Sequence, residues 1–145
     1  MATSPDQTAY YQHQFSGLGS VGSYQVSGYP YVTGSNTLGQ AHEDKISFPN
    51  VTKSITVMNR LSGSGAAPDI RIHFVPTGSN NVNSGNHFIV LTSNKASFTM
   101  NIKCKDLYIS RDDAVAGNAS YTVFAELTGI GPTQMFPLTG SGISE

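Results

Sequence analysis

The sequence predicts an all-β protein: an antiparallel β-sandwich of about seven strands, jelly-roll-like, with an extended N-terminal arm and a short C-terminal tail. Three observations predict it. Only 12% of the 145 residues are charged, about half the usual quarter, whereas helical surfaces are normally rich in Glu, Lys and Arg. Apolar residues recur at period two through the middle of the chain, the spacing of a strand with one face buried. No segment sustains the i, i+3, i+4, i+7 spacing long enough to demand a helix.

The arm comes first and is defined by charge. No Asp, Glu, Lys or Arg lies between Asp6 and Glu43 or between Glu126 and Glu145, so 15 of the 17 charged residues fall in Glu43 to Glu126. This divides the chain into an arm (1–40), a β-sandwich body (41–130) that should form its own core, and a tail (131–145). Solvated tethers are charged and poor in aromatics, but the arm carries Tyr10, Tyr11, Phe15, Tyr24, Tyr29 and Tyr31. It reads as a docked strap, laid on a neighbour or folded back on its own body. In VGSYQVSGYPYVTGS, Val21 to Ser35, Tyr24 and Val26 share one face of an extended chain, as do Tyr29 and Tyr31. Gly22 and Gly28 admit close approach of another backbone. Phe15, Val21, Tyr24, Val26, Tyr29 and Tyr31 are the expected partner contacts.

In the body, Asp69–Phe74 alternates without fault, Ser54–Val57, Ser97–Cys104 and Tyr121–Leu127 read the same way, and Lys45–Phe48, His87–Leu91 and Leu107–Ile109 are shorter strand candidates. Turn-forming runs such as Ser62-Gly63-Ser64-Gly65 and Ala116-Gly117-Asn118 separate them. The apolar phase, Ile55, Val57, Ile70, Ile72, Phe74, Phe98, Met100, Ile102, Val123 and Leu127, is the expected core. Cys104, the single cysteine, falls in the same phase and reads as a buried small hydrophobe. Lys105 and Asp106 break the alternation, which a bulge, a corner between sheets or a simple turn would each explain.

Catalytic chemistry is not legible. His13, His42, His73 and His87 match no metal spacing, and His73 falls on the polar, wet phase of its strand. Arg111-Asp112-Asp113 reads as a solvated turn. Nucleophile elbow, phosphate-loop, dinucleotide and zinc-protease motifs are missing from the sequence, so the expectation is a non-enzyme without cofactor or metal. A net charge of -1 and a pI near 6.4 give no overall pull toward nucleic acid or anionic membrane. No run approaches the roughly 18 apolar residues of a membrane span, and the first residues do not form a secretory signal, which points to synthesis in a cytoplasm.

The arm stretch VGSYQVSGYPYVTGS, followed by KISFPNVTKSITVMNR, IRIHF, HFIVL, CKDLYIS and YTVFAELTGI, resembles small structural proteins of marine tailed bacteriophages, particularly cyanophages. The similarity runs from about Gly17 to Ile130 and is specific as a set. It implies a virion component made in the host cytoplasm and located on the capsid surface. The expected role is a decoration or cement protein, a homotrimer that binds the major capsid protein through its sandwich and arm. A tail or fibre module recognising a carbohydrate or receptor is the alternative. Stacking on sugars would need exposed aromatics on the body, which offers Tyr108, Tyr121 and no Trp.

Overall fold

A computed structural model gives the fold and describes residues 28–60, 68–78, 80–92, 96–111 and 115–145. Among these residues the strands are β1 (Tyr29–Leu38), β2 (Glu43–Ser47), β3 (Thr52–Arg60), β4 (Ile70–His73), β5 (Ile89–Leu91), β6 (Ser97–Met100), β7 (Asp106–Ser110) and β8 (Ala119–Leu127). They form two antiparallel sheets of four strands, ordered β1-β8-β3-β6 and β2-β7-β4-β5. The one helical element among them is a 3-10 turn over Pro132–Gln134. The chain is all-β, as its composition and periodicity predict.

One apolar cluster joins the sheets, and the inner strands supply most of its wholly buried members, among them Ile55 and Val57 from β3, Val123 and Ala125 from β8, Ile70 and Ile72 from β4, Leu107 and Ile109 from β7. Period two delivers this directly, because alternate side chains of a strand share a face. Met100, Cys104 and Leu127 join as expected, whereas Phe74 and Ile102 are only half-buried against the cluster. Phe98 departs further. It lies opposite Val57 in register, hence on the inner face, yet it is 40% exposed. Strand β6 is a four-residue edge, so the ring overhangs the rim of the core.

The expected boundary at residue 40 does not separate arm from body. Residues 29–38 form β1, paired with β8 from Tyr29↔Leu127 to Leu38↔Ala119. Leu38 is buried in the core, and Tyr31 packs edge-on to Phe48 with ring centroids 5.4 Å apart. Gly28 runs so close to β8 that a Cβ there would stand 2.7 Å from the Leu127 carbonyl oxygen. The charge boundary misled because pairing with β8 needs no charge, only main-chain groups and residues that fit the neighbouring strand. The C-terminal residues also belong to the body: Met135 is in the core and Leu138 packs against it. The Asn81 N–H donates to the Ser144 carbonyl at 3.0 Å.

The slip at Lys105 and Asp106 is a corner, since β6 lies in one sheet and β7 in the other. Thr52 stands in for the ladder there. Its hydroxyl donates to the Ile102 carbonyl at 2.8 Å and accepts the Cys104 N–H at 3.0 Å. Two polar residues in the apolar phase tie the sheets together. Asn59, paired with Tyr121 across β3 and β8, donates to the carbonyl of Leu91 on β5 at 3.1 Å. The Tyr121 hydroxyl donates to the Asp44 carboxylate on β2 at 2.7 Å, and burial followed by that carboxylate pushes its pKa up. Arg111 is a correction to the solvated turn: it is 1% exposed, and its guanidinium donates to the carbonyls of Val115 and Gly117.

Candidate interaction surface

Each sheet has an outer face, turned away from the shared core, and the two differ in what covers them. On the β2-β7-β4-β5 sheet the register places His73 beside Tyr108 and Arg71 beside Ser110 on the outer side. His73 is therefore on the expected polar phase, yet it is buried, as are Tyr108 and Ser110. Residues 74–78 and 80–88 lie across them. The His73 Nδ1–H donates to the Val75 carbonyl at 2.7 Å, because a carbonyl only accepts. That tautomer leaves Nε2 to accept the Ser110 hydroxyl at 2.8 Å. Tyr108 stacks on the imidazole, centroids 5.9 Å apart and planes 12° from parallel.

The cover is fastened elsewhere as well. The Thr77 N–H donates to Glu43 Oε2 at 3.0 Å. Arg71 Nη1 donates to Asn83 Oδ1 at 3.1 Å, and its guanidinium lies 4.3 Å from the centre of the Phe88 ring. Val75 and Val82 are buried beneath. The Ser110–His73 pair has the hydrogen bond of an activated hydroxyl, but both residues are sealed, with Glu43 Oε2 only 3.7 Å from Nε2. Its chemistry is that of a structural pin. Burial outweighs the Val75 hydrogen bond and the nearby Glu43 and holds the His73 pKa below its ordinary value.

The outer face of the β1-β8-β3-β6 sheet is open. One row across it reads Val32, Phe124, Thr56, Thr99, and the next reads Gly34, Thr122, Met58, Ser97. Val32 is 65% exposed, Phe124 39% and Met58 40%. Thr56 and Thr99 share a hydrogen bond at 2.9 Å, a hydroxyl pair with no net charge. Charge appears toward the ends, where Lys53 meets Glu126 at 3.9 Å and Arg60 stands opposite Ser120. Gly34 sits where a Cβ would be 2.5 Å from the Tyr121 carbonyl oxygen. A shallow groove of about 480 Å³ runs over it, lined by Val32, Ser35, Asn36, Arg60 and Thr122.

Of the expected partner contacts, Phe15, Val21, Tyr24 and Val26 lie outside the described residues. Tyr29 is 66% exposed at the start of β1. Tyr31 is committed inward to Phe48. Sequence reasoning missed Val32, Met58 and Phe124, whose signal was an apolar residue in the polar phase of a strand. Among the described residues no group of His, Cys, Asp and Glu is placed to hold a metal ion, and no helix is long and apolar enough to cross a membrane. Burial raises the Cys104 thiol to about 11, which leaves it an unreactive packing atom. Comparisons of the chain with protein families, with curated proteins and with solved structures give no match.

Proposed function

We propose that this protein is a structural component of a tailed-bacteriophage virion, a capsid decoration protein that binds the major capsid protein as a closed homotrimer and stabilises the shell. The reading joins the resemblance of its arm and strand motifs to one structural observation. The chain covers His73, Tyr108 and Ser110 on one outer sheet face with residues 74–78 and 80–88 and leaves the other bearing exposed Val32, Phe124 and Met58. An apolar patch kept open on a soluble domain marks a partner site. A shell under pressure from packaged DNA gains from many copies of a clamp that docks by such a face.

In this reading the fold is a jelly-roll sandwich. The orders β1-β8-β3-β6 and β2-β7-β4-β5 support it, since the chain changes sheet at every connection except β4 to β5. Jelly rolls of eight strands recur in viral capsid and lectin domains. The protein acts without catalysis, cofactor, nucleic acid or membrane. The sugar-binding alternative cannot use Tyr108 and Tyr121, which are buried, and would have to stack on exposed rings such as Phe124.

Counting copies by mass analysis of purified virions tests the proposal. Hundreds per particle support a shell protein, and a handful moves it to the tail or fibres. Binding of the purified chain to empty shells should be lost in Phe124→Glu, which places a charge in the middle of the open face.

A further inference from the structure

We infer that residues 21–26 of one copy pair as an added strand with the outer edge of β1 in a second copy, so that the chain assembles with itself through its arm. The edge is the first ground. Among the described residues β1 has β8 as its one neighbour, and its ten residues, YPYVTGSNTL, carry no charge. The other edge strands are blunted: β2 carries Glu43, Asp44 and Lys45, while β5 and β6 have three and four residues. Charge and shortness are how proteins protect sheet edges from pairing. β1 has neither protection until its register shifts between Ser35 and Leu38.

Proline shows which groups are on offer. Pro30 has no N–H and sits in the ladder with its nitrogen turned away from β8. Alternation then turns the N–H and carbonyl groups of Val32 and Gly34 to the same free side. A strand laid there finds main-chain donors and acceptors at every second residue, the requirement for strand addition.

The occupant follows from what precedes the edge. Residues 1–27 lead into Gly28, and from Gln7 to Gln40 the chain is uncharged, so neither side gives up a hydrated charge on pairing. The stretch VGSYQV alternates Tyr24 and Val26 toward one face with small or polar residues between. The strand donor in this inference is another copy. Gly28 lies against Leu127 of β8 without the left-handed φ that a two-residue reversal of the chain requires. A segment continuing straight on from β1 would hold residue 24 about 26 Å from Val32 of its own chain, so a second copy is the occupant inferred.

The purified full-length chain, without shells, decides this independently of the capsid reading. Para-benzoylphenylalanine in place of Tyr24 keeps an aromatic anchor and cross-links on illumination. Equal amounts of nitrogen-15-labelled and unlabelled protein are mixed before irradiation, and the linked peptides are mapped by mass. The inference expects mixed-isotope links from position 24 to residues 29–35. Links confined to one isotope, links to another part of the molecule, or an absence of links would overturn it. Val32→Pro, which removes one offered N–H, should lower the yield about tenfold at an unchanged melting temperature. If that variant unfolds instead, the Val32 N–H belongs to the β8 ladder and the edge assignment fails.

Discussion

On the β2-β7-β4-β5 sheet His73, Tyr108 and Ser110 turn away from the core yet are buried, because residues 74–78 and 80–88 lie over them. On the β1-β8-β3-β6 sheet the corresponding outward positions hold Val32, Phe124 and Met58 in the open. On the first sheet His73, Tyr108 and Ser110 are covered while Val90 of the edge strand β5 stays 39% exposed; on the second, three apolar side chains stand in the open among hydroxyls. Period two fixes which face a side chain takes, and only the rest of the chain decides whether that face meets water. In the proposed function the bare face is the one that meets the shell.

The largest expected effect comes from moving the N-terminal boundary. A chain beginning at Gly28 keeps β1 and its inward residues Tyr31 and Leu38, so its melting temperature should stay within a few degrees of the full chain's. A chain beginning at Ala41 loses the partner of β8 along its whole length and the buried Leu38. It should fail to fold, as judged by thermal unfolding and near-ultraviolet dichroism. A well-folded chain from Ala41 would make β1 a docked strap after all and weaken the contrast between the two sheets.

Single truncations should separate the faces next. Ile109→Ala empties a wholly buried site in β7 and should cost about 2 to 5 kcal/mol of stability. Phe124→Ala removes a half-open ring from the bare face. It should change stability by about 1 kcal/mol or less, while weakening attachment to shells by about 2 kcal/mol. Urea unfolding and shell sedimentation give the two numbers. Equal losses of stability would show that Phe124 is a core residue and that the bare face is not reserved.

Much of this architecture was legible in the sequence. Asp69-Ile70-Arg71-Ile72 and Tyr121 to Leu127 announce their strands because an inner strand must alternate, and the corner at Lys105 was visible as a break in the alternation. β1 was not legible, because TyrProTyrValThrGlySer resembles linker chemistry and its pairing with β8 spans most of the chain. His73 was read in the right phase and the wrong environment, since its cover is an irregular segment without periodicity. Asn59 and Tyr121 escaped notice for a related reason: the polar ends that tie the sheets together reach partners far along the chain.

The covered face should also make the fold sensitive to acid. His73 is held neutral, with its pKa below the ordinary value because of burial. In the unfolded chain a histidine takes up its proton near pH 6.5. Between that pH and the lower folded value the unfolded state binds more protons, so stability is full above about 6.5 and falls as the pH drops below it. Urea unfolding at about pH 7.5 and about pH 5.5 should show the decline. His73→Gln, which cannot titrate, should remove this dependence at the cost of a weaker anchor for Val75. A wild-type stability that rises on acidification would mean that protonated His73 gains more from Glu43, 3.7 Å away, than burial takes from it.

The smallest expected effect is that of salt on attachment to the shell. The rows Val32, Phe124, Thr56, Thr99 and Gly34, Thr122, Met58, Ser97 hold no charge, and nothing from Gln7 to His42 adds any. Surface charges are largely screened beyond about 10 Å at 0.1 M salt and about 3 Å at 1 M, so a contact made by apolar side chains and hydroxyls has little to lose. Attachment measured across that range should change by less than about twofold. A fall of tenfold or more would move the contact to the charged ends of the sheet, where Lys53, Glu126 and Arg60 stand. The bare apolar rows would then be a surface the partner passes over, and Lys53→Ala and Arg60→Ala would become the variants that abolish binding.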